Sequence, residues 1–454
     1  MGDGVNIAAR LESVAEPGGI CVSEDAYRQV RDRVKETFVD LGEKALKNIA
    51  RPVRVYAAPI LSPGAEAASR HPPGERTAPP RASIAVLPFA NMSGDAEQEY
   101  FADGISEDII TALSKLGQLF VIARNSSFTF KGRNVHVGEV AKSLGVRYVL
   151  EGSVRKSGLR VRITAQLIDA TTGGHLWGER FDRELTDIFA VQDDVTAHIV
   201  SALTLNLTAG DRQSIAAERT DNQEAYDCYL RGRELFWRQV KEANRGAQAL
   251  LRRAVELDPR FAPAFAFLAA AQVIAYVNEW SDPQAQTLEG AEKAARLAVQ
   301  LDERNPYALW ALCMACSTTR RHDQALSVAE KAIAFNPNYA DGHTTLGVVL
   351  YYAGRSEEAV KCFERAVALE PYFPDLWLHF RAQAAYQLGQ YPEAVTLLKR
   401  RILRNPETDS SRALLAAAYG QMGLVEEARE AWRELMRVNP AFSSPQSAAL
   451  QEPG

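Results

Sequence analysis

Apolar residues between Ser83 and Leu205 alternate between strand-like and helix-like spacing. Mainly apolar runs at 84–89 and 119–123 predict two short buried strands. After Tyr100, apolar residues recur every three or four positions, which predicts a helix that buries one face. The pattern then predicts a helix, three strands and a closing helix, at 137–144, 148–155, 159–169, 176–181 and 187–205. As a whole it predicts a compact α/β domain over residues 83–205.

The C-terminal half of the chain repeats itself. Prolines that directly follow apolar helical patterns recur at intervals of 34, 35 and 34 residues, at Pro337, Pro371, Pro406 and Pro440. Because proline ends a helix, each period predicts two antiparallel helices, which is typical of tetratricopeptide repeats. Weaker copies end at Pro259 and Pro306. We expect about six such units over residues 222–441, stacked into an all-α solenoid.

Composition and charge limit the remaining possibilities. Residues 61–82 carry five prolines and predict an extended linker, and residues 442–454 predict a disordered tail. The net charge of −5 argues against a nucleic-acid-binding protein. Five scattered cysteines indicate a reducing compartment, and no apolar run reaches the roughly twenty residues of a membrane span. We therefore expect a cytoplasmic protein without a membrane span.

The first residues carry a specific motif. The segment Gly2-Asp-Gly-Val-Asn-Ile-Ala-Ala-Arg-Leu-Glu12 resembles a signature late in the catalytic domain of class III nucleotidyl cyclases, and the resemblance extends over residues 1–60. In that family, the residue matching Asn6 orients the ribose, and the residue matching Arg10 neutralises phosphate charge in the transition state. The two stand four positions apart, so they project from one face of a helix. Lys47 matches a phosphate-contacting lysine of the family less closely.

The same resemblance implies that most of the cyclase site lies before Met1. The family holds two metal ions on two acidic residues, and without them the triphosphate charge is not neutralised. We therefore expect residues 1–60 to be an inactive C-terminal remnant, with no cofactor in this chain. The alternative is a longer true N-terminus, or a second cyclase domain as partner, and Mg or Mn is expected only where the site is completed in this way.

The α/β domain carries a second resemblance. The strings I-A-V-L-P-F-A-N-M-S-G-D from Ile84, Y-F-A-D-G-I-S-E-D-I-I from Tyr100 and L-W-G-E-R-F-D-R from Leu176 resemble the TolB-like domain that follows cyclase domains in bacterial signalling proteins. The resemblance implies a role in protein interaction. A cluster of carboxylates falls in the turn and first helix of this domain, at Glu97, Glu99, Asp103, Glu107 and Asp108. We interpret it as solvated charge near a helix N-terminus and not as a metal site.

Stacked repeats form a concave groove that can take a peptide or helix from another protein. His343, Leu350 and Tyr386 lie in first helices of the repeats and are candidate groove residues, with packing or solvated surface as the alternative for each. Cys313 and Cys316 form a C-x-x-C pair. We interpret the pair as core cysteines and not as a redox or zinc site.

The chain is thus predicted to be multidomain, with α/β segments followed by an all-α solenoid. The leading hypothesis is a bacterial signalling or adaptor protein whose repeats bind a protein or peptide partner. The alternative is an adenylate cyclase that makes cyclic AMP from ATP, or else a guanylate cyclase that makes cyclic GMP, once its site is completed.

Overall fold

The chain forms two compact units, residues 1–78 and 79–454. The computed structural model describes residues 11, 20–30, 38–44, 53–58, 82–133, 135–158, 160–184, 188–203, 205, 220–281, 284–440 and 442. Asn6, Arg10 and Lys47 lie outside the described residues. So do most of the predicted linker and tail.

The first unit contains a small antiparallel sheet. Its described elements are β1 (Ile20–Ser23), α1 (Glu24–Val30), β2 (Val39–Lys44) and β3 (Val53–Ala58), and the strand order is β1-β3-β2. Val55 on the central strand is fully buried. The ring of Tyr27 on α1 stacks on Tyr56 with centroids 4.0 Å apart, which holds the helix on the sheet.

The second unit begins with a mixed sheet. Its strands are β4 (Ser83–Val86), β5 (Ala90–Asn91), β6 (Phe120–Val121), β7 (Tyr148–Ser157), β8 (Arg160–Asp169) and β9 (Gly174–Glu184). The order is β6-β4-β7-β8-β9, with β5 paired to β7. β4 is parallel to both of its neighbours, whereas β7, β8 and β9 form an antiparallel meander. The predicted alternation of strand and helix is confirmed.

Among the described residues, four α-helices cover this sheet. They are α2 (Glu99–Ser114), α3 (Arg124–Phe128), α4 (Val137–Leu144) and α5 (Ile188–Ala202). Helix α4 ends where the sequence predicts, because Gly145 adopts a left-handed conformation with φ of 70° that few other residues tolerate. The short helix α3 was not predicted. Its five residues are too few to show a helical period.

The C-terminal part of the second unit is helical. Its described residues form six consecutive helix pairs, α6 (Gln223–Trp237) with α7 (Lys241–Leu257), α8 (Ala262–Val277) with α9 (Gln284–Leu301), α10 (Pro306–Thr318) with α11 (His322–Phe335), α12 (Ala340–Tyr352) with α13 (Ser356–Leu369), α14 (Leu376–Gln387) with α15 (Tyr391–Arg404), and α16 (Asp409–Gln421) with α17 (Val425–Val438). A Cβ placed on Gly347 would lie 2.6 Å from the Phe363 ring, so glycine permits the close approach of α12 and α13.

One apolar core joins the α/β domain to the repeats. Buried side chains of α2, such as Ile109 and Leu113, belong to the same cluster as Leu230 and Phe236 of α6 and Phe267 of α8. The sequence patterns predict an α/β domain and a solenoid as separate segments. In the structure they share their interior.

Candidate functional site: the groove of the repeats

The first helices of the repeats form the surface that we call the groove. Of the three predicted groove residues, Leu350 is 3% exposed and packs among the side chains of neighbouring repeat helices. His343 is also buried, with Nε2 3.0 Å from the carbonyl oxygen of Pro337, and burial lowers the pKa of its imidazole. Tyr386 is partly buried, and its ring lies edge-on to Tyr391 with centroids 5.3 Å apart. Their contact with a partner stays a prediction.

Helix α2 of the α/β domain lies in the groove. Six of its residues lie on one helical face, with one to four positions between successive members, and meet the repeats: Tyr100, Gly104, Glu107, Asp108, Thr111 and Ser114. We call this set the docking face. By helical periodicity, Ile105, Ile109 and Leu113 point the other way, towards the sheet. The helix is therefore held between the sheet and the repeats.

A buried arginine binds the middle of the docking face. Arg233 of α6 has a side chain only 2% exposed, and its Nη1 lies 2.8 Å from Asp108 Oδ1. Its Nε lies 3.4 Å from Glu107 Oε2, and Nη2 donates to the carbonyl oxygen of Gly104 over 3.1 Å. A charge removed from water in this way needs such partners, and removing one of them from a buried pair costs about 3–5 kcal/mol.

Glu107 and Asp108, the two carboxylates that Arg233 contacts, have further partners. Arg124 Nε lies 2.8 Å from Glu107 Oε2, and Trp237 Nε1 donates to Glu107 Oε1 over 3.3 Å. The hydroxyl of Tyr226 donates to Asp108 Oδ2 over 2.7 Å. Each carboxylate is therefore shared between groups from distant parts of the sequence.

The interpretation of the acidic cluster as solvated charge is wrong for most of its members. Asp103 and Glu107 are 8% and 2% exposed, and Asp108 is half-buried. Asp103 pairs with Lys131 Nζ over 2.6 Å, although burial still raises the pKa of this carboxyl. No pattern near the cluster predicts this arrangement, because Arg233 lies more than a hundred positions away in the chain.

Two asparagines hold the end of α2. Asn338, between α11 and α12, directs its Nδ2 to the carbonyl oxygens of Leu119, Ser114 and Leu116, over 2.7, 3.1 and 3.2 Å. Asn336 Nδ2 donates to Ser114 Oγ over 2.9 Å. The last carbonyls of a helix lack partners within the helix. Here the repeats supply them.

A cavity of about 40 Å³ lies beside this contact, lined by residues that include Arg124, Tyr339, Asp341 and Glu370. Glu370 is 1% exposed, and among the described residues neither its Oε1 nor the Tyr339 hydroxyl has a hydrogen-bond partner. Burial, with the neighbouring Asp341, raises the pKa of Glu370 well above its usual range. Burial likewise raises the pKa of Asp341, to about 6. Both carboxyls therefore hold a proton up to a higher pH than an exposed carboxyl does.

The two cysteines of the C-x-x-C pair lie in the core of the repeats. Cys313 and Cys316 are 1% and 0% exposed, and burial raises the pKa of the Cys313 thiol to about 12. The prediction of core cysteines is confirmed. Within the described ranges, no three or more His, Cys, Asp or Glu side chains are grouped so as to hold a metal ion. Among the helices that the structure describes, none is both long and apolar enough to cross a membrane.

Two sequence families match parts of the chain. Residues 350–418 match the family described as tetratricopeptide repeat, which confirms that prediction. Residues 80–198 match the family described as HilA/YgeH-like transcriptional regulator, second domain. That description differs from the TolB-like resemblance of the same region, and the TolB-like assignment stays a prediction.

Similar proteins were found by sequence and by structure. The chain is 47% identical over 330 residues to "Putative adenylate cyclase 3" of Rhizobium meliloti (strain 1021), which covers 72% of this chain but only 55% of that relative. It is 36% identical over 54 residues to a small glutamine-rich tetratricopeptide repeat-containing protein 2 of Saccharomyces cerevisiae, covering 12% of this chain and 16% of that protein. A solved structure of pilF from Pseudomonas aeruginosa, 19% identical, covers 50% of this chain and 97% of that one with a TM-score of 0.39.

Proposed function

We propose that this chain is a bacterial signalling adaptor whose tetratricopeptide repeats bind a protein partner. The observation that carries the proposal is the series of six helix pairs over the described part of residues 223–438, together with the repeat-family match. Repeats of this kind present extended surfaces instead of a catalytic centre. The net charge of −5 favours a protein partner over a nucleic acid.

The last two repeats carry exposed apolar side chains, to which the proposal assigns the contact with the partner. Leu403 on α15 is 74% exposed, Trp432 on α17 is 46% exposed, and Leu376 on α14 is 42% exposed. Aromatic and large aliphatic side chains in contact with water are enriched where proteins meet. These repeats lie beyond the contacts of α2.

A second candidate function is that of an adenylate cyclase. It is favoured by the relative named as one, at 47% identity, and by the motif around Asn6 and Arg10. The chain spans only 55% of that relative, so its activity is not carried over to this chain. Under this second hypothesis, residues 83–205 form a TolB-like domain. That domain and the repeats are then the part of a cyclase that binds a partner.

The adaptor function is tested with the full chain as bait in cells of the source bacterium, followed by mass spectrometry of cross-linked partners. Leu403→Glu and Trp432→Glu are expected to reduce recovery of a specific partner by about tenfold or more. Val277→Glu is the control, because this valine is also exposed but lies on α8. Equal recovery by all variants would contradict the proposal.

The cyclase function is tested separately. The purified chain, incubated with ATP and Mg or Mn, is expected to form no cyclic AMP, since the resemblance supplies no metal carboxylates. Turnover that Arg10→Ala abolishes would establish the second candidate instead.

A further inference from the structure

The face of α2 that meets the repeats is unusual for a domain interior. Its members are a tyrosine, a glycine, two carboxylates, a threonine and a serine, whereas the opposite face carries Ile105, Ile109 and Leu113. A surface buried permanently within one core is normally apolar, and contacts between exchangeable partners are more polar. The docking face has the more polar composition of a contact between exchangeable partners.

The contact is also incompletely packed. A cavity of about 90 Å³ lies between α2 and the first repeats, lined by residues that include Asp108, Tyr226 and Arg233. The cavity of about 40 Å³ beside Glu370 lies further along the same contact, and Thr111 and Tyr307 line both. Protein interiors are ordinarily close-packed. The gaps on both sides of α2 make this contact less closely packed than a domain interior.

The groove selects the helix that it holds. Arg233 is buried and requires carboxylates, so a helix without them would leave an uncompensated charge. A Cβ on Gly104 would lie 2.7 Å from Leu230 Cδ2, so a small residue is required one turn before the carboxylates. The groove therefore selects a helix in which a small residue is followed, three and four positions later, by Glu and Asp.

We propose that the groove is a helix-binding site, that α2 is its resident occupant, and that a partner helix with the same pattern replaces α2 when the α/β domain separates. The proposal rests on the adaptor function and names the partner's chemistry, an amphipathic helix with paired carboxylates on its polar face. The chain then exists in a closed form, with α2 docked, and an open form that binds the partner. The apparent affinity for such a helix is reduced by the fraction of chains that are closed.

The test uses a fluorescent peptide with the sequence of residues 98–116 and the full chain. Gly104→Leu adds bulk opposite Leu230 and weakens docking of the resident helix without altering the groove. This variant is expected to bind the peptide at least about tenfold more tightly than the wild-type chain. Gly420→Leu is the control, since a Cβ there meets no atom within 4 Å, and its peptide binding should equal that of wild type.

A second opening variant keeps the test decisive if Gly104→Leu does not fold. Glu107→Gln combined with Asp108→Asn in the chain keeps the shape of α2 but removes the charges that Arg233 binds. It too should gain peptide binding. A peptide carrying the same two neutral substitutions should bind either open variant about tenfold more weakly than the acidic peptide.

The proposal is overturned if a folded opening variant, checked by circular dichroism, binds the acidic peptide no better than the wild-type chain does. It is also overturned if the neutral peptide binds as tightly as the acidic one. The peptide assay uses no cellular partner. Its failure leaves the adaptor test with Leu403→Glu standing, and failure of that test leaves the peptide result intact.

Discussion

The side-chain amide of Asn338 lies 2.7 Å from the carbonyl oxygen of Leu119, and the two residues are 219 positions apart in the sequence. Asn338 belongs to the turn that begins the fourth repeat, and Leu119 follows the helix that lies in the groove. The contact ties the two halves of the second unit at a point where buried carbonyl groups have no water to bind.

Replacement of Asn338 by alanine is therefore expected to destabilise the second unit. The carbonyls of Ser114, Leu116 and Leu119 lose a shared donor, which should lower the free energy of unfolding by about 1–3 kcal/mol. Urea unfolding monitored by circular dichroism measures this change. Asn278→Ala is the control, because Asn278 donates to the carbonyl of Ile274 in an exposed position. A loss equal to that of the control would mean that the amide contributes nothing here.

Replacement of Arg233 by methionine should lower the free energy of unfolding by more than Asn338→Ala does. The substitution leaves Glu107 and Asp108 without their buried cation, and the expected loss is about 3–5 kcal/mol in the free energy of unfolding. Arg238→Met is the matched control, since this arginine pairs with Glu234 on the solvent side of the same chain segment. Exposed pairs contribute about 0–1 kcal/mol. Similar urea midpoints for the two variants would show that burial does not set the strength of the pair.

The cavity with Glu370 predicts that stability depends on pH. In an unfolded chain the pKa of a glutamate is about 4.3, whereas the folded pKa of Glu370 is raised well above that and that of Asp341 is raised to about 6. The folded unit thus holds these protons more tightly than the unfolded chain. Their stabilising contribution is complete below the unfolded pKa and is lost as the pH rises through the folded values.

Glu370→Gln is expected to remove part of this dependence. The uncharged amide needs no proton, so the variant should gain stability relative to wild type at about pH 8 and less at about pH 5. Thermal unfolding at the two values of pH measures the difference. Glu364→Gln, at an exposed carboxyl on the same helix, is the matched control. An equal change in melting temperature at both values of pH would show that Glu370 does not titrate between them.

Two glycines within helices should respond oppositely to alanine. Alanine favours a helix over glycine by about 1 kcal/mol. At Gly347, however, the new methyl group would meet the Phe363 ring at 2.6 Å, and overpacking costs about 1–3 kcal/mol. Gly347→Ala should therefore lower the urea midpoint, and Gly420→Ala, where nothing lies within 4 Å, should raise it. A gain at both positions would indicate that the fourth repeat has room to adjust.

The regular elements were predictable because each depends on residues close in sequence. The helix Val137–Leu144 and the prolines that follow the helices of the later repeats are examples, since capping and chain stiffness act locally. The repeat period likewise predicted the solenoid. These predictions needed no knowledge of contacts between residues that are distant in sequence.

The docking of α2 was not predictable on the same grounds. Glu107 and Asp108 look like ordinary helix-surface carboxylates until Arg233 is placed beside them, and only the fold does so. The sequence left Leu350 open between a groove residue and a packed one, because the period that marks a repeat does not say which face of its first helix lies against a neighbour.

The interior shared by the α/β domain and the first repeats determines how deletion experiments on this protein must be read. A fragment that starts at residue 222 would present Leu230 to water and strand Arg233 without its carboxylates. A fragment that stops at residue 205 would expose the docking face of α2 and leave Glu107 and Asp108 without Arg233. Either truncation would therefore uncover the groove and remove part of the shared core at the same time, so mapping of contacts on this protein calls for point substitutions.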